Sequence, residues 1–165
     1  MLNITKLAEW LKEKTEWQET PVPLTDKNYI NMVIDGIERL FVDTGRSDQY
    51  DEDKYAMVAE GEERSEDIEE PENPEPPEES EIVTYYGYDA VFPLDERRYI
   101  QICAEINFFS KVQSDVNNTF GYSTDALTVT NADKPYANLK DTIDKLENER
   151  RIIYYKMVRY TLGVS

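Results

Sequence analysis

Residues 135–162 read PYANLKDTIDKLENERRIIYYKMVRYTL and carry the clearest periodic pattern in the chain. Seven positions recur there at alternating spacings of three and four: Leu139, Ile143, Leu146, Arg150, Ile153, Met157 and Tyr160. This spacing is typical of a long helix that packs along a partner helix through a heptad-like seam. Pro135 suits the first helical turn and Gly163 suits a C-terminal cap, so the stretch predicts a closing helix.

The same kind of periodicity predicts three more helices upstream. Residues 4–17 form a short amphipathic pattern with two tryptophans along one edge. After two prolines, Thr25 or Asp26 can cap a second helix, which residues 43–45 end. Asp95 can cap a third helix over residues 96–117, whose apolar stripe comprises Tyr99, Ile102, Cys103, Ile106, Phe109, Val112 and Val116.

Two short stretches favour β structure. Residues 82–92, IVTYYGYDAVF, are rich in valine and tyrosine, and Gly87 permits a turn or a bulge. Residues 122–132, YSTDALTVTNA, are β-prone and predict a short strand or arm. Together these patterns predict a mainly α fold, a four-helix bundle-like domain with a small β element or arm and a long acidic loop of the disordered type.

The formal charge is −17, and most of it lies in one segment. Residues 48–81 hold sixteen acids and two bases, which gives −14, whereas all remaining residues sum to −3. Residues 60–81 also contain four prolines, so like-charge repulsion and polyproline geometry favour an extended chain. We therefore predict N-terminal helices over 1–47, an acidic Pro/Glu-rich loop or linker over 48–81, and a β element plus two long helices over 82–165, which pack with 1–47 as one domain.

Composition excludes several classes of site. With one cysteine and no histidine, the chain lacks an internal disulfide, a zinc site of several Cys or His ligands, and a histidine-dependent catalytic triad. It has no apolar run long enough to span a bilayer and no signal-peptide core, so we expect an intracellular protein or a part of something assembled inside a cell.

No residue pattern points to catalysis, a cofactor or a metal. The isolated glycines form no phosphate loop, and the acidic run lacks the spacing of an EF-hand. Asp35 and Glu38 fit a solvated helix face, and Glu105 fits a paired or exposed structural role. Cys103 lies in an apolar stripe, which predicts a buried, inert thiol. The sequence therefore predicts a protein that is not an enzyme and has no cofactor.

Candidate interface residues stand out by charge and aromatic character. Arg97 and Arg98 lie in a first helical turn, where cations need a structural or intersubunit partner. An arginine at seam position 150 is tolerated more easily at a subunit interface with a partner carboxylate. The tyrosines are conspicuous because adjacent ones cannot face the same core. The full set is Arg97, Arg98, Leu127, Val129, Arg150, Tyr154, Tyr155 and Tyr160, with Glu62, Glu63, Glu66, Asp67, Glu69 and Glu70 in the acidic loop.

The layout resembles the neck proteins of tailed bacteriophages, the head–tail connector or adaptor family. The resemblance rests on residues 24–46, LTDKNYINMVIDGIERLFVDTGR, on the helix over 94–117, and on 120–160, where ALTVT precedes the closing helix. It covers about two thirds of the chain, and the acidic insertion is not part of it.

The resemblance implies a virion structural protein at the head–tail junction, assembled in the host cytoplasm. Such proteins form a homo-oligomeric ring of about twelve copies that binds the portal protein and downstream neck or tail proteins. The ring extends the DNA channel, so DNA passes without sequence-specific binding, and no membrane is involved. A channel lined with carboxylates would suit this passage because DNA would not adhere to it.

Two other hypotheses stay open. The −14 segment could make the chain an acidic protein-binding or regulatory module that mimics nucleic acid. In that case, deleting residues 60–81 should abolish binding to a basic partner. An enzyme that uses carboxylates, with or without Mg²⁺, is the third hypothesis, and it requires a hydrolase activity that depends on a defined Asp/Glu pair.

Overall fold

The computed structural model describes residues 1–60, 83–120 and 138–161. These residues form four helices: α1 (Ile4–Thr15), α2 (Asp26–Asp43), α3 (Leu94–Phe120) and α4 (Leu139–Thr161). They also form three strands: β1 (Leu2–Asn3), β2 (Tyr55–Glu60) and β3 (Val83–Tyr88). The predicted mainly α fold with four helices and a small β element is confirmed.

The helix boundaries follow from local capping groups. The side chain of Asn3 accepts a hydrogen bond from the Lys6 N–H at 2.8 Å and caps α1. The backbone N–H of Thr25 donates to Asn28 Oδ1 at 2.8 Å, which places Thr25 at the predicted cap of α2. Helix α2 ends at Asp43, and Gly45 follows with a φ of 69°, a left-handed conformation that favours glycine.

Three predicted helix ends were wrong. Helix α3 begins at Leu94 and continues to Phe120, so Asp95 lies inside its first turn and the helix extends beyond the predicted end at residue 117. Helix α1 ends at Thr15, which leaves Trp17 beyond it and 68% exposed. Helix ends are poorly specified by periodicity, because the last turn depends on capping and on packing beyond the helix.

Helix α3 supplies the centre of the core, since it packs along both α2 and α4. Three of its side chains, Tyr99, Ile102 and Phe108, are almost completely buried. Helix α4 presents its predicted seam to α3, with Leu139, Leu146, Ile153 and Met157 buried. The close approach of α2 to α3 occurs at Gly36, where an added Cβ would lie 2.9 Å from the carbonyl oxygen of Ile100.

The sheet has the order β1-β3-β2, and both pairings are antiparallel. Gly87 pairs in regular register with Asn3 and with Ala56, so the expected turn or bulge is absent at this described residue. Its lack of a side chain makes room for Met1, whose sulfur would lie 2.9 Å from an added Cβ. Glycine serves here as a place of close approach.

Strand β2 corrects one part of the domain prediction. The acidic loop or linker was expected from residue 48 onward, yet Tyr55–Glu60 forms a strand paired with β3. The strand was not predicted because its short β-prone run, YAMV, is surrounded by acidic residues. The rings of Tyr55 and Tyr86 stack with their centroids 5.8 Å apart. The acidic residues 61–82 and the β-prone stretch 122–132 lie outside the described residues.

Candidate functional site: a polar cleft beside helix α4

A cleft opens where the end of α2 and the first turns of α3 meet helix α4. It consists of two adjoining hollows of about 490 and 690 Å³, and both are lined by Asp43 and Tyr154. The first hollow is polar and also includes Tyr99, Glu147 and Arg150. The second includes the loop after α2 and further residues of α4, among them Met157. The cleft is therefore a recess with charged and aromatic walls.

A hydrogen-bonded cluster forms the floor of the cleft. The Tyr99 hydroxyl donates to Oδ2 of Asp43, and Nε of Arg39 binds the same oxygen at 2.9 Å. Burial raises the pKa of Tyr99, and the hydrogen bond to the Asp43 carboxylate raises it further, because both disfavour a second negative charge. The phenol therefore stays protonated and holds α2 to α3.

Cys103 lies one helical turn beyond Tyr99 and is 2% exposed. Burial raises the pKa of its thiol to about 12, and the nearby Arg150 guanidinium only partly opposes this effect. A thiol in this state is protonated at neutral pH, and only the thiolate is a strong nucleophile. The prediction of a buried thiol is confirmed, and its inertness stays a prediction.

Arg150 forms an ion pair with a carboxylate of its own helix. Its Nη2 lies 2.6 Å from Glu147 Oε2, and 21% of the arginine side chain is exposed. The sequence suggested that a partner subunit could supply such a carboxylate, and this ion pair at spacing i, i+3 provides one in the same chain. An additional role for Arg150 at a subunit interface stays a prediction.

The arginine doublet at the start of α3 also makes contacts inside the chain. Arg98 lies 2.7 Å from Glu149 of α4 and 3.8 Å from Glu105. Glu105 is 3% exposed and also binds Lys14 Nζ of α1 at 2.6 Å. Arg97 donates from Nε to the carbonyl oxygen of Phe92 at 2.9 Å. Of the two alternatives open for Arg98, the structural ion pair is present.

The two adjacent tyrosines of α4 have different surroundings. Tyr154 is half-buried and lines the cleft, whereas Tyr155 is 59% exposed, and their ring centroids are 5.7 Å apart. This agrees with the expectation that they cannot face the same core. The remaining candidates lie outside the described residues or side chains: Leu127, Val129, Tyr160, Glu62, Glu63, Glu66, Asp67, Glu69 and Glu70.

Sequence reasoning missed most of the cleft. Asp43 was interpreted as part of a helix stop and Tyr99 as a core residue, and nothing in one sequence links α2 to α3 at those positions. The only available signal was the i, i+4 spacing of Arg39 and Asp43, which favours an ion pair on a helix. The ion pairs of Glu147 with Arg150 and of Lys14 with Glu105 were likewise not predicted from the sequence.

Within residues 1–60, 83–120 and 138–161, no group of three His, Cys, Asp or Glu side chains could hold a metal ion. None of the helices in this part combines the length and apolar composition needed to cross a bilayer. Asp35 and Glu38 are exposed, as expected, and the pKa of Asp35 is raised by partial burial and by Glu38.

The described cleft and the neighbouring exposed face of α4 form a surface with fixed charges and accessible aromatic rings. Such features are typical of protein interfaces, where tyrosine and arginine are enriched. Comparison of the chain with protein-family models, with curated proteins and with solved structures finds no match.

Proposed function

We propose that this protein is a structural subunit of a phage virion neck, which forms a ring between portal and tail and extends the DNA channel. The observation that supports this proposal is the amount of apolar surface that the described chain leaves in water. Among the residues that the structure describes, nine large apolar side chains are exposed: Met1, Trp17, Val22, Val42, Met57, Val91, Leu94, Ile152 and Tyr155. Burial of such surface is the main driving force of association.

The most exposed pair lies at the entrance to α3. Val91 and Leu94 are each 82% exposed, although they adjoin the buried Phe92. Single exposed apolar residues are ordinary, but two so strongly exposed residues this close in sequence are a candidate contact area. One charged group nearby is already engaged, since Glu96 pairs with Arg46 at 2.7 Å. This segment is therefore suited to packing against another subunit.

Exposed apolar surface is compatible with several kinds of assembly, and the sequence resemblance is the reason for proposing a phage neck. A small helical chain with apolar contact areas gains stability when repeated copies cover one another in a closed ring. The near-neutral charge of the chain outside residues 48–81 lets like copies approach without strong repulsion.

Co-sedimentation with portal rings, prepared from the phage whose genome encodes the chain, tests the proposal. The full-length protein should pellet with the rings, and the double variant Val91→Asp/Leu94→Asp should remain in the supernatant. Position 94 lies in the first turn of α3, where a negative charge is favourable, so the fold of this variant should persist. The control Lys27→Glu changes the charge by the same amount at an exposed position in the first turn of α2 and should pellet normally.

The acidic segment supports a second candidate function, a module that binds a basic protein in place of nucleic acid. Residues 60–81 carry twelve acids and one base. In this case, deleting 60–81 should abolish capture of the basic partner while Val91→Asp/Leu94→Asp leaves it unchanged. Under the neck proposal, Val91→Asp/Leu94→Asp should reduce portal binding more than the deletion of residues 60–81 does.

A further inference from the structure

Helix α4 has an outer face that packing against α3 leaves uncovered. Exposed residues at positions 151, 152, 155, 156 and 159 share one side of the helix, because residues three and four positions apart lie on the same face. They are Arg151, Ile152, Tyr155, Lys156 and Arg159, which we call the outer face. Ile152 is 49% exposed and Tyr155 is 59% exposed, so the charges surround accessible apolar area.

The outer face is basic, and the charge changes sign along the helix. From residue 150 to the last residue, the chain has four bases and no acid. The preceding half of α4 contains Asp141, Asp144, Glu147 and Glu149. Bases near a helix C-terminus favour the helix dipole, but the dipole does not explain the exposed isoleucine and tyrosine among them. Their combination is typical of a surface that binds an acidic chain.

We propose that the outer face binds the acidic segment, residues 61–82, of a second copy of this protein. The segment contains eleven acids and one base, and charge complementarity with the outer face is the first argument. Its two isoleucines and four prolines offer apolar contacts for Ile152 and Tyr155. The inference rests on the proposed assembly function, for which it names one contact between neighbouring subunits.

The ring proposed above is the reason for assigning the occupant to a neighbouring copy, because the chain's own segment, 22 residues long, can also reach α4. The acidic segment joins β2 to β3 between Glu60 and Val83, which pair with each other. The opposite end of these strands, at Tyr55 and Tyr88, lies roughly 16 Å away along the sheet. That opposite end is the one near α4: Tyr88 contacts Phe92 at 6.0 Å, and the following Pro93 lines a hollow with Met157.

Carbodiimide cross-linking with isotope mixing tests the proposal on the full-length protein. Equal amounts of ¹⁴N- and ¹⁵N-labelled protein are mixed, alone and with portal rings, and links between Lys156 and the carboxylates of 61–82 are identified by mass spectrometry. Contact between copies predicts that half of these links join a light and a heavy peptide. Lys145, exposed on the acidic half of the same helix, is the internal control and should link much less.

Charge variants extend the test. Arg151→Glu/Arg159→Glu should reduce the Lys156 links by at least about tenfold, because like charges would then face the segment. Lys140→Glu/Lys145→Glu, on the first half of α4, should leave them unchanged. In 1 M NaCl the links should be lost, since the Debye length falls to about 3 Å.

Three results would overturn the inference: links only within one isotope, equal links at Lys145, or no links in either mixture. Binding of duplex DNA by the outer face without links to 61–82 would also overturn it, because the occupant would then be nucleic acid. Portal binding without links would reject this contact and keep the neck proposal. Mixed-isotope links without portal binding would keep this contact between copies and reject the neck proposal.

Discussion

The hydroxyl of Tyr99 on α3 donates a hydrogen bond to the carboxylate of Asp43, the last residue of α2. Arg39 holds the same carboxylate oxygen from one turn earlier in α2. Tyr99 is 1% exposed, so its hydroxyl has little access to water as an alternative partner. This contact fixes the end of α2 against the start of α3 and forms the floor of the cleft.

Tyr99→Phe should lower the free energy of unfolding by about 1–3 kcal/mol, the usual cost of removing one partner from a buried hydrogen bond to a charged group. Urea denaturation followed by circular dichroism measures the change. Tyr155→Phe is the matched control, because its exposed ring should tolerate the loss of the hydroxyl. Equal stability of both variants would show that the contact with Asp43 contributes nothing.

Glu105 joins three helices through Lys14 of α1 and Arg98 of α3, and Arg98 also reaches Glu149 of α4. Glu105→Gln should destabilise the fold by about 1.5–3 kcal/mol, because a buried charge-assisted contact is lost. Glu149→Gln removes a carboxylate that is 44% exposed, so water screens the lost ion pair and the cost should stay below about 1 kcal/mol. The reverse order would contradict the assignment of Glu105 as the buried anchor.

Gly36→Ala should destabilise the protein although alanine is the better helix former. The added methyl would lie 2.9 Å from the backbone carbonyl oxygen of Ile100, which cannot move without shifting α3. Overpacking of this kind costs about 1–3 kcal/mol and should exceed a helix-propensity gain of about 1 kcal/mol. Thermal denaturation of each variant measures the change. Asn31→Ala, on the exposed side of α2, is the control and should be neutral or stabilising. A stabilising Gly36→Ala would refute the close approach of α2 to α3.

Stability should fall in alkali because burial favours the protonated forms of Cys103, Tyr99 and Tyr55. In the unfolded chain the thiol ionises near its ordinary pKa of 9.0, whereas in the fold its pKa is about 12. The unfolded state therefore binds fewer protons above pH 9, and the free energy of unfolding decreases as pH rises from there toward 12.

Urea denaturation from pH 7 to 11 checks this dependence. In Cys103→Ala the decline should begin about one pH unit later, because the tyrosines, with an ordinary pKa of 10.0, are then the first groups to contribute. The slope against pH is the readout, since the substitution also changes packing. Identical slopes in the two proteins would contradict the assignment of Cys103.

The sequence predicted the presence of the four helices, but neither all of their ends nor the contacts between them. The seam of α4 was predictable because burial repeats with the helical period, and Leu146, Ile153 and Met157 are buried as expected. The Asp43–Tyr99 contact was not predictable, since it depends on how α2 and α3 are placed against each other. Strand β2 was missed because surrounding acids outweighed four β-compatible residues, and its pairing with β3 is a long-range contact.

Negative-stain electron microscopy of the purified protein, alone and mixed with portal rings, tests the central claim most directly. The neck proposal predicts closed rings of the protein, either free or as an added layer of density on one face of the portal. Class averages should show cyclic symmetry in that layer. A protein that stays strictly monomeric and leaves the portal rings unchanged would contradict the proposal.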